Sequence, residues 1–154
     1  MTIHEEKNVF NIAIEGNFDD CQNLVKAMFN DEKFSSSINM SGVNSINWAR
    51  IVAQAVYYFY AYFKIGNRQS LSFSVPTGNF GDIYAGYLAK KLGLPVDKLI
   101  VATNKNDILH RAISGGDYSQ KKVEETNTPS MDIQIASNFE RLLYDVKDLS
   151  LIHI

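Results

Sequence analysis

The chain has 154 residues, which is enough for one domain with its own hydrophobic core. Hydrophobic residues make up 45% and charged residues 21%, a balance typical of globular proteins and unlike that of disordered chains. The net charge of −2 excludes the basic surface that a nucleic-acid-binding domain presents. The most apolar stretch, residues 48–63, contains Arg50 and Gln54 and is shorter than the roughly 20 residues that a membrane span needs. We therefore expect neither nucleic acid nor a membrane among the partners.

Cysteine and histidine usage points to a cytoplasmic protein without a metal site. Cys21 is the single cysteine, so no internal disulfide can form, as is usual in a reducing compartment. Residues 1–8 are polar and charged and do not resemble a signal peptide. The three histidines are scattered and form no HExxH motif.

The first predicted element is a strand over residues 9–14, which Gly16 ends. Asp19 or Asp20 can then cap a helix that runs to about residue 30.

A polar stretch covers residues 30–44, for which no helix or strand is predicted. Ser45 is a good N-cap for a long helix over residues 46–64, which Gly66 ends. That helix is apolar on nearly all sides, so we expect it to be largely buried.

The next unit predicts the fold class. A strand over residues 70–75, a tight turn, a helix over 83–92 and an apolar strand over 99–103 follow one another. This length matches a βαβ crossover, which joins parallel strands with a right-handed connection. We therefore predict an α/β protein, with a parallel twisted sheet flanked by helices.

After this unit, Asp107 can cap a short helix that ends at Gly115-Gly116. Residues 117–138 are predicted to form a long loop and residues 138–147 a last helix. The apolar tail, residues 149–154, has no capping or strand context, so we interpret it as a truncated or non-native end and residues 1–148 as the domain.

Two turns of similar sequence could bind an anion, residues 16–20 (GNFDD) and 78–82 (GNFGD). Each follows a predicted strand and opens a helix, where free N–H groups and the helix dipole favour negative charge. The first turn follows Glu15 and carries two aspartates, whereas the second follows Thr77 and has two glycines and one acid. The second is therefore the better anion site. The alternative is an ordinary strand-to-helix turn, because many such turns contain glycine and asparagine.

The stretch 74–82 (SVPTGNFGD) resembles the cofactor-phosphate loop of threonine synthases. Other stretches are similar to the same family and occur in the same order, so that the resemblance covers about residues 9–145. They are 15–22 (EGNFDDCQ), 44–50 (NSINWAR) with Gln54 and 57–59 (YYF), 102–107 (ATNKND), and 129–133 (PSMDI) with 137–141 (SNFER).

The resemblance implies a part of the pyridoxal-phosphate (PLP) fold type II architecture. This family converts O-phospho-L-homoserine and water to L-threonine and phosphate, with PLP held by a lysine. It implies that Gly81 shapes the turn and that Asp82 caps the helix and organises the loop. The residues implied to contact the cofactor, chiefly through main-chain amides, are Gly78, Asn79, Phe80 and Asp82.

The family's Schiff-base lysine and substrate-carboxylate loop lie upstream of the matched stretches, and the residue that meets the pyridine nitrogen lies downstream. We therefore expect an internal fragment in which no residue is catalytic and which is inactive alone. Its partner is expected to be the remainder of the parent chain. The alternative is a non-catalytic α/β module that binds a phosphorylated metabolite or a nucleotide.

Further polar residues allow two interpretations. Those at the start of the long helix could line the substrate pocket, with Arg50 near the substrate phosphate, or could be an N-cap with a buried arginine network. A second pair follows a strand, where α/β proteins usually bind ligands. The aromatic run 57–63 is interpreted as core or as a subunit contact. The polar residues are Asn44, Ser45, Asn47 and Arg50, and then Asn104 and Asn106.

Overall fold

The computed structural model describes residues 6–43, 47–66 and 69–147. The tail 149–154, Asn44 and Ser45 lie outside the described residues. Within these ranges six α-helices and two β-strands alternate as an α/β fold. They are α1 (Phe18–Asn30), α2 (Glu32–Ser37), α3 (Trp48–Ile65), β1 (Leu71–Pro76), α4 (Gly81–Lys91), β2 (Val96–Ala102), α5 (Ile108–Gly115) and α6 (Phe139–Lys147).

The predicted parallel pairing is confirmed. β1 and β2 are parallel, with Phe73 opposite Leu99 and Val75 opposite Val101, and α4 makes the connection between them. This arrangement brings the carboxyl end of β1 next to the amino end of α4, where α/β proteins bind ligands.

Helix α4 lies at the centre of the core. Its residues Ile83, Tyr84, Ala85 and Ala89 are all buried, and the helix packs against α3. At Gly86 an added Cβ would lie 2.6 Å from the Tyr58 ring. The glycine therefore lets the two helices approach each other more closely than any other residue allows.

The expectation that the long helix is largely buried is wrong. Only Ile51, Ala55 and Tyr58 of α3 are buried, because the described part of the chain covers one side of the helix. Large apolar side chains on the other side are exposed; they include Val52, Val56, Tyr57, Tyr60, Phe63 and Ile65.

The strand predicted over residues 9–14 is also wrong, since this segment has no regular structure. Phe10 and Ile12 are 80% and 84% exposed. A strand needs a neighbour to accept its hydrogen bonds, and the sheet in the described residues consists of β1 and β2.

Helix caps account for two further differences from the predicted elements. Asn17, rather than Asp19 or Asp20, caps α1. Its Oδ1 accepts from Asp20 N–H at 3.2 Å, and Asp20 Oδ2 accepts from Asn17 N–H at 2.8 Å, which is a capping box. Asp31 accepts from Phe34 N–H at 3.0 Å and so starts α2 inside the polar stretch 30–44, where no element was predicted.

The C-terminal elements follow the prediction closely. Helix α5 ends at Gly116, which is left-handed at φ +74°, although Asp107 makes no capping hydrogen bond and contacts Arg111 instead. Residues 117–138 are irregular apart from one 3₁₀ turn, Pro129–Met131. In the described ranges, no helix has both the length and the apolar character that a membrane crossing requires.

Candidate functional site

Residues 77–80 connect β1 to α4, and the turn that they form with the first residues of α4 takes its shape from Phe80. Its backbone is left-handed, with φ +67° and ψ −2°, whereas Gly81 has no positive φ. The positive φ of the turn thus lies at Phe80, and the part of Gly81 in the shape of the turn stays a prediction. The Phe80 ring is 4% exposed and packs edge-on against Phe139, with 5.2 Å between ring centroids. Burial of this ring holds the backbone conformation.

This turn presents backbone donors at the start of a helix. Among the described residues, the N–H groups of Gly78, Gly81 and Asp82 have no acceptor. They lie at the positive end of the α4 dipole, which attracts anions. Phe80 N–H is different, because it donates to Thr77 Oγ1 at 3.1 Å. The contact of the Phe80 amide with the ligand stays a prediction, and in this structure that amide is bonded within the turn.

The acidic residue of the turn is hydrogen-bonded to its neighbours. Asp82 Oδ1 accepts from the Thr77 hydroxyl at 2.5 Å and from Ile83 N–H at 2.9 Å. The expected role of Asp82 in organising the loop is in keeping with these bonds. Because α4 begins at Gly81, however, Asp82 lies in the first helical turn rather than at the cap, where its charge favours the helix dipole.

The turn rests on the segment that precedes α6. Asn79 Oδ1 accepts from both the N–H and the hydroxyl of Ser137, each at 2.7 Å. A Cβ added to Gly78 would lie 3.1 Å from Met131 Cα. Ser137 was not singled out from the sequence by itself; its place in the matched stretch 137–141 was the available signal.

Two clefts adjoin the turn. The first has a volume of about 290 Å³, and the second, about 320 Å³, is largely apolar and includes Tyr57, Tyr58 and Phe73. Gln54 lines both, and its buried Oε1 has no partner in the described part of the chain. The first cleft is lined by Gln54, Pro76, Thr77, Gly78, Asn79, Gly81, Asp82, Ser130 and Met131.

The side chains of the similar turn at residues 16–20 make hydrogen bonds that hold the start of α1. Asn17 is occupied in capping α1, and Asp19 Oδ2 accepts from Gln134 N–H at 3.3 Å. Burial raises the pKa of Asp19, with Asp20 adding to the effect. The carboxylates of Asp19 and Asp20, which make this turn the less favourable anion site, thus lie in the first turn of α1.

Asn104 and Asn106 contribute to a structural network. Both donate to Asp132 Oδ1, at 2.7 and 3.1 Å, and Asp132 also accepts from the N–H and hydroxyl of Thr126. The Thr126 hydroxyl, together with its N–H and the Asn104 amide, lowers the pKa of Asp132. This network fixes residues 117–138 against the end of β2, and neither asparagine lines the two clefts.

At the start of α3, the capping interpretation is correct for Asn47, whose Oδ1 accepts from Ala49 N–H at 2.9 Å. The accompanying idea of a buried arginine network is wrong, because Arg50 is exposed and donates to Val43 O at 2.9 Å. Among described residues, no three His, Cys, Asp or Glu side chains form a group that could hold a metal ion.

Comparison with known proteins gives a consistent result. No profile of a protein family matches the chain. Threonine synthase of Pseudomonas aeruginosa is 61% identical over 147 residues, which are 95% of this chain and 31% of that protein. Threonine synthase of Saccharomyces cerevisiae is 53% identical over 148 residues, 94% of this chain and 29% of that protein.

Solved structures agree with the sequence comparison. PLP-bound threonine synthase from Brucella melitensis superimposes with a TM-score of 0.76 and 61% identity, covering 87% of this chain and 29% of that one. Threonine synthase from Escherichia coli gives a TM-score of 0.83 and 43% identity, covering 91% and 34%. The fold is thus that of a part of PLP fold type II enzymes. By sequence and by fold, the chain belongs with the threonine synthases and spans about three tenths of the length of the relatives that it matches.

Proposed function

We propose that this chain is the segment of a threonine synthase that holds the phosphate group of PLP. The whole polypeptide then converts O-phospho-L-homoserine and water to L-threonine and phosphate. The observation that carries the proposal is the set of unpaired N–H groups of Gly78, Gly81 and Asp82 at the start of α4. They occur in a chain that is 61% identical to a relative solved with PLP bound.

The residues of the turn fit such a phosphate. The N–H groups of Gly78, Gly81 and Asp82 are its donors, and Gly78 leaves no room for a side chain on the side of Met131. Asp82 also lines the cleft next to the turn, where the Thr77 hydroxyl and Ile83 N–H hold its carboxylate. Asn79 and Phe80 set the shape of the turn. When bound, PLP supplies an electron sink for carbanion chemistry.

The proposal places the lysine that holds PLP outside this chain, in the part of the polypeptide that the chain does not match. The chain by itself is then inactive, residues 1–148 are part of a larger PLP-binding domain, and the remainder of the polypeptide is its partner. The exposed apolar side of α3, with Val56 60% and Phe63 72% exposed, supports this, since monomers rarely expose large apolar patches. A cytoplasmic location, in keeping with the single Cys21, is also part of the proposal.

A chimera tests the proposal. Residues 6–147 replace the matching stretch of Pseudomonas aeruginosa threonine synthase, and PLP binding is followed by visible absorbance and phosphate release from O-phospho-L-homoserine by a colorimetric assay. We expect PLP to bind and phosphate to be released. A folded chimera that binds inorganic phosphate or a nucleotide but not PLP would contradict the proposal and favour the non-catalytic binding module.

A further inference from the structure

We propose that Ser137 is a positioning residue for the PLP-phosphate turn, acting through Asn79 without touching the cofactor. This inference rests on the proposed function. Ser137 lies outside the turn in sequence and does not line the cleft next to it.

The contacts of Ser137 converge on one atom. Its N–H and its hydroxyl both donate to Asn79 Oδ1, each at 2.7 Å. Two donors on one carbonyl oxygen satisfy both of its lone pairs and fix the direction of the amide. The neighbouring Asn138 N–H donates to the Asn79 carbonyl at 3.2 Å. The side chain and the backbone of Asn79 are therefore both held from the same short segment.

The hydroxyl of Ser137 is itself held in place. Gln22 Nε2 donates to Ser137 Oγ at 3.0 Å, which leaves the hydroxyl proton directed at Asn79. Gln22 is 6% exposed and Asn138 is 1% exposed, so the contacts are screened from water. A chain of hydrogen bonds thus runs from Gln22 in α1 through Ser137 to Asn79.

The consequence is specific to the phosphate. Asn79 lies between Gly78, which carries one of the free N–H groups, and Phe80, whose left-handed backbone aims the N–H groups of Gly81 and Asp82. If Asn79 can rotate, the donors on its two sides lose their common direction. The ring of the cofactor is not involved in this effect.

The test compares PLP with pyridoxal, which lacks the phosphate, in the chimera described above with its cofactor removed. The dissociation constants of both are measured by spectral titration. In Ser137→Ala, Asn79 Oδ1 loses one of its two hydrogen bonds, and we expect PLP to bind about 3- to 10-fold more weakly, with pyridoxal binding unchanged. Ser137→Thr keeps the hydroxyl and is expected to retain PLP affinity. Ser114→Ala is the matched control, since that hydroxyl donates to His110 O within its own helix.

The outcomes separate the two proposals. A chimera that binds no PLP overturns the proposed function, and this inference with it. A chimera that binds PLP while Ser137→Ala leaves the ratio of PLP to pyridoxal affinity unchanged overturns this inference alone. Should the alanine variant not fold, Gln22→Met removes the donor behind the hydroxyl at similar volume. It is expected to lower the same ratio, and an unchanged ratio then also overturns the inference.

Discussion

Phe80 holds a left-handed backbone although glycines stand at positions 78 and 81. For a residue other than glycine this conformation costs about 1–3 kcal/mol, and it persists only where the surroundings require it. The packing of the Phe80 ring against Phe139 meets that requirement. Packing of this ring in the core thereby fixes the direction of the N–H groups of Gly81 and Asp82, which follow Phe80.

The absence of a side chain at Gly86 allows the close packing of α3 against α4. In Gly86→Ala the new Cβ lies 2.6 Å from the Tyr58 ring and 2.9 Å from Leu99 Cδ2, and overpacking of this kind destabilises a protein by about 1–3 kcal/mol. We expect the free energy of unfolding in urea to fall by that amount. Gly115→Ala is the control, because its Cβ meets nothing within 4 Å. Equal stability of the two variants would show that the helices can separate without cost.

Asp132 gives the loop a dependence on pH. Its hydrogen bonds from Thr126 and Asn104 lower its pKa below the ordinary 3.8. A carboxylate whose pKa is depressed in the folded state stabilises it above the unfolded value, and this contribution is lost as pH falls. We therefore expect the free energy of unfolding to decrease on acidification below about pH 4, and less steeply in Asp132→Asn.

Chemical denaturation at a series of pH values measures this effect. Asp97→Asn is the matched control, since Asp97 lies at the start of β2, whereas the network lies past its other end, and its side chain accepts from exposed Ser72. The same acid dependence in Asp132→Asn and in the unsubstituted chain would contradict the prediction.

Among the elements, those with strong local signals were predictable. The βαβ unit, α5 and α6 all begin and end within about three residues of their predicted bounds, because apolar periodicity and the glycines after the helices mark them. The segment 9–14 has the apolar pattern of a strand but no neighbour in the described sheet, which sequence pattern alone cannot reveal. Helix α2 was missed because its stretch is polar and short and depends on the Asp31 cap.

The site was predictable in part for the same reason. The turn 78–82 has a local signature in its glycines, so its position was found from the sequence. The left-handed Phe80 and the orientation of Asn79 depend on Phe139 and Ser137, which are nearly 60 positions away in sequence. A local sequence pattern cannot predict such contacts.

The exposed apolar side of α3 leads to a prediction at the level of the element. In the isolated chain, Val56→Gln and Phe63→Gln replace exposed side chains, so we expect changes in stability within about 0.5 kcal/mol. On the proposed function the rest of the polypeptide covers the same side in the chimera, and we expect burial of each amide there to cost about 1–3 kcal/mol. Lys64→Gln, an exposed neighbour, is the control. Thermal denaturation of both proteins measures the difference, and a chimera as tolerant as the isolated chain would show that the side stays uncovered.

At the scale of the whole molecule, the described residues form a two-stranded sheet with one well-packed helix at its centre. Such a small parallel sheet exposes hydrogen-bonding groups along both outer edges. The relatives are about three times as long as the stretch they share with this chain. The architecture of the described residues is therefore that expected of one part of a larger α/β domain.

The long separation between Asn79 and Ser137 has a consequence for the order of events on the ribosome. The two residues are 58 positions apart in sequence, and at about 5–20 residues per second their synthesis is separated by roughly 3–12 s. During this interval β1 and the turn have been synthesised, while the residues that hold Asn79 have not. On the proposed function, the nascent turn lacks these hydrogen bonds until translation has passed Ser137, so we expect cofactor binding at full affinity only late in synthesis.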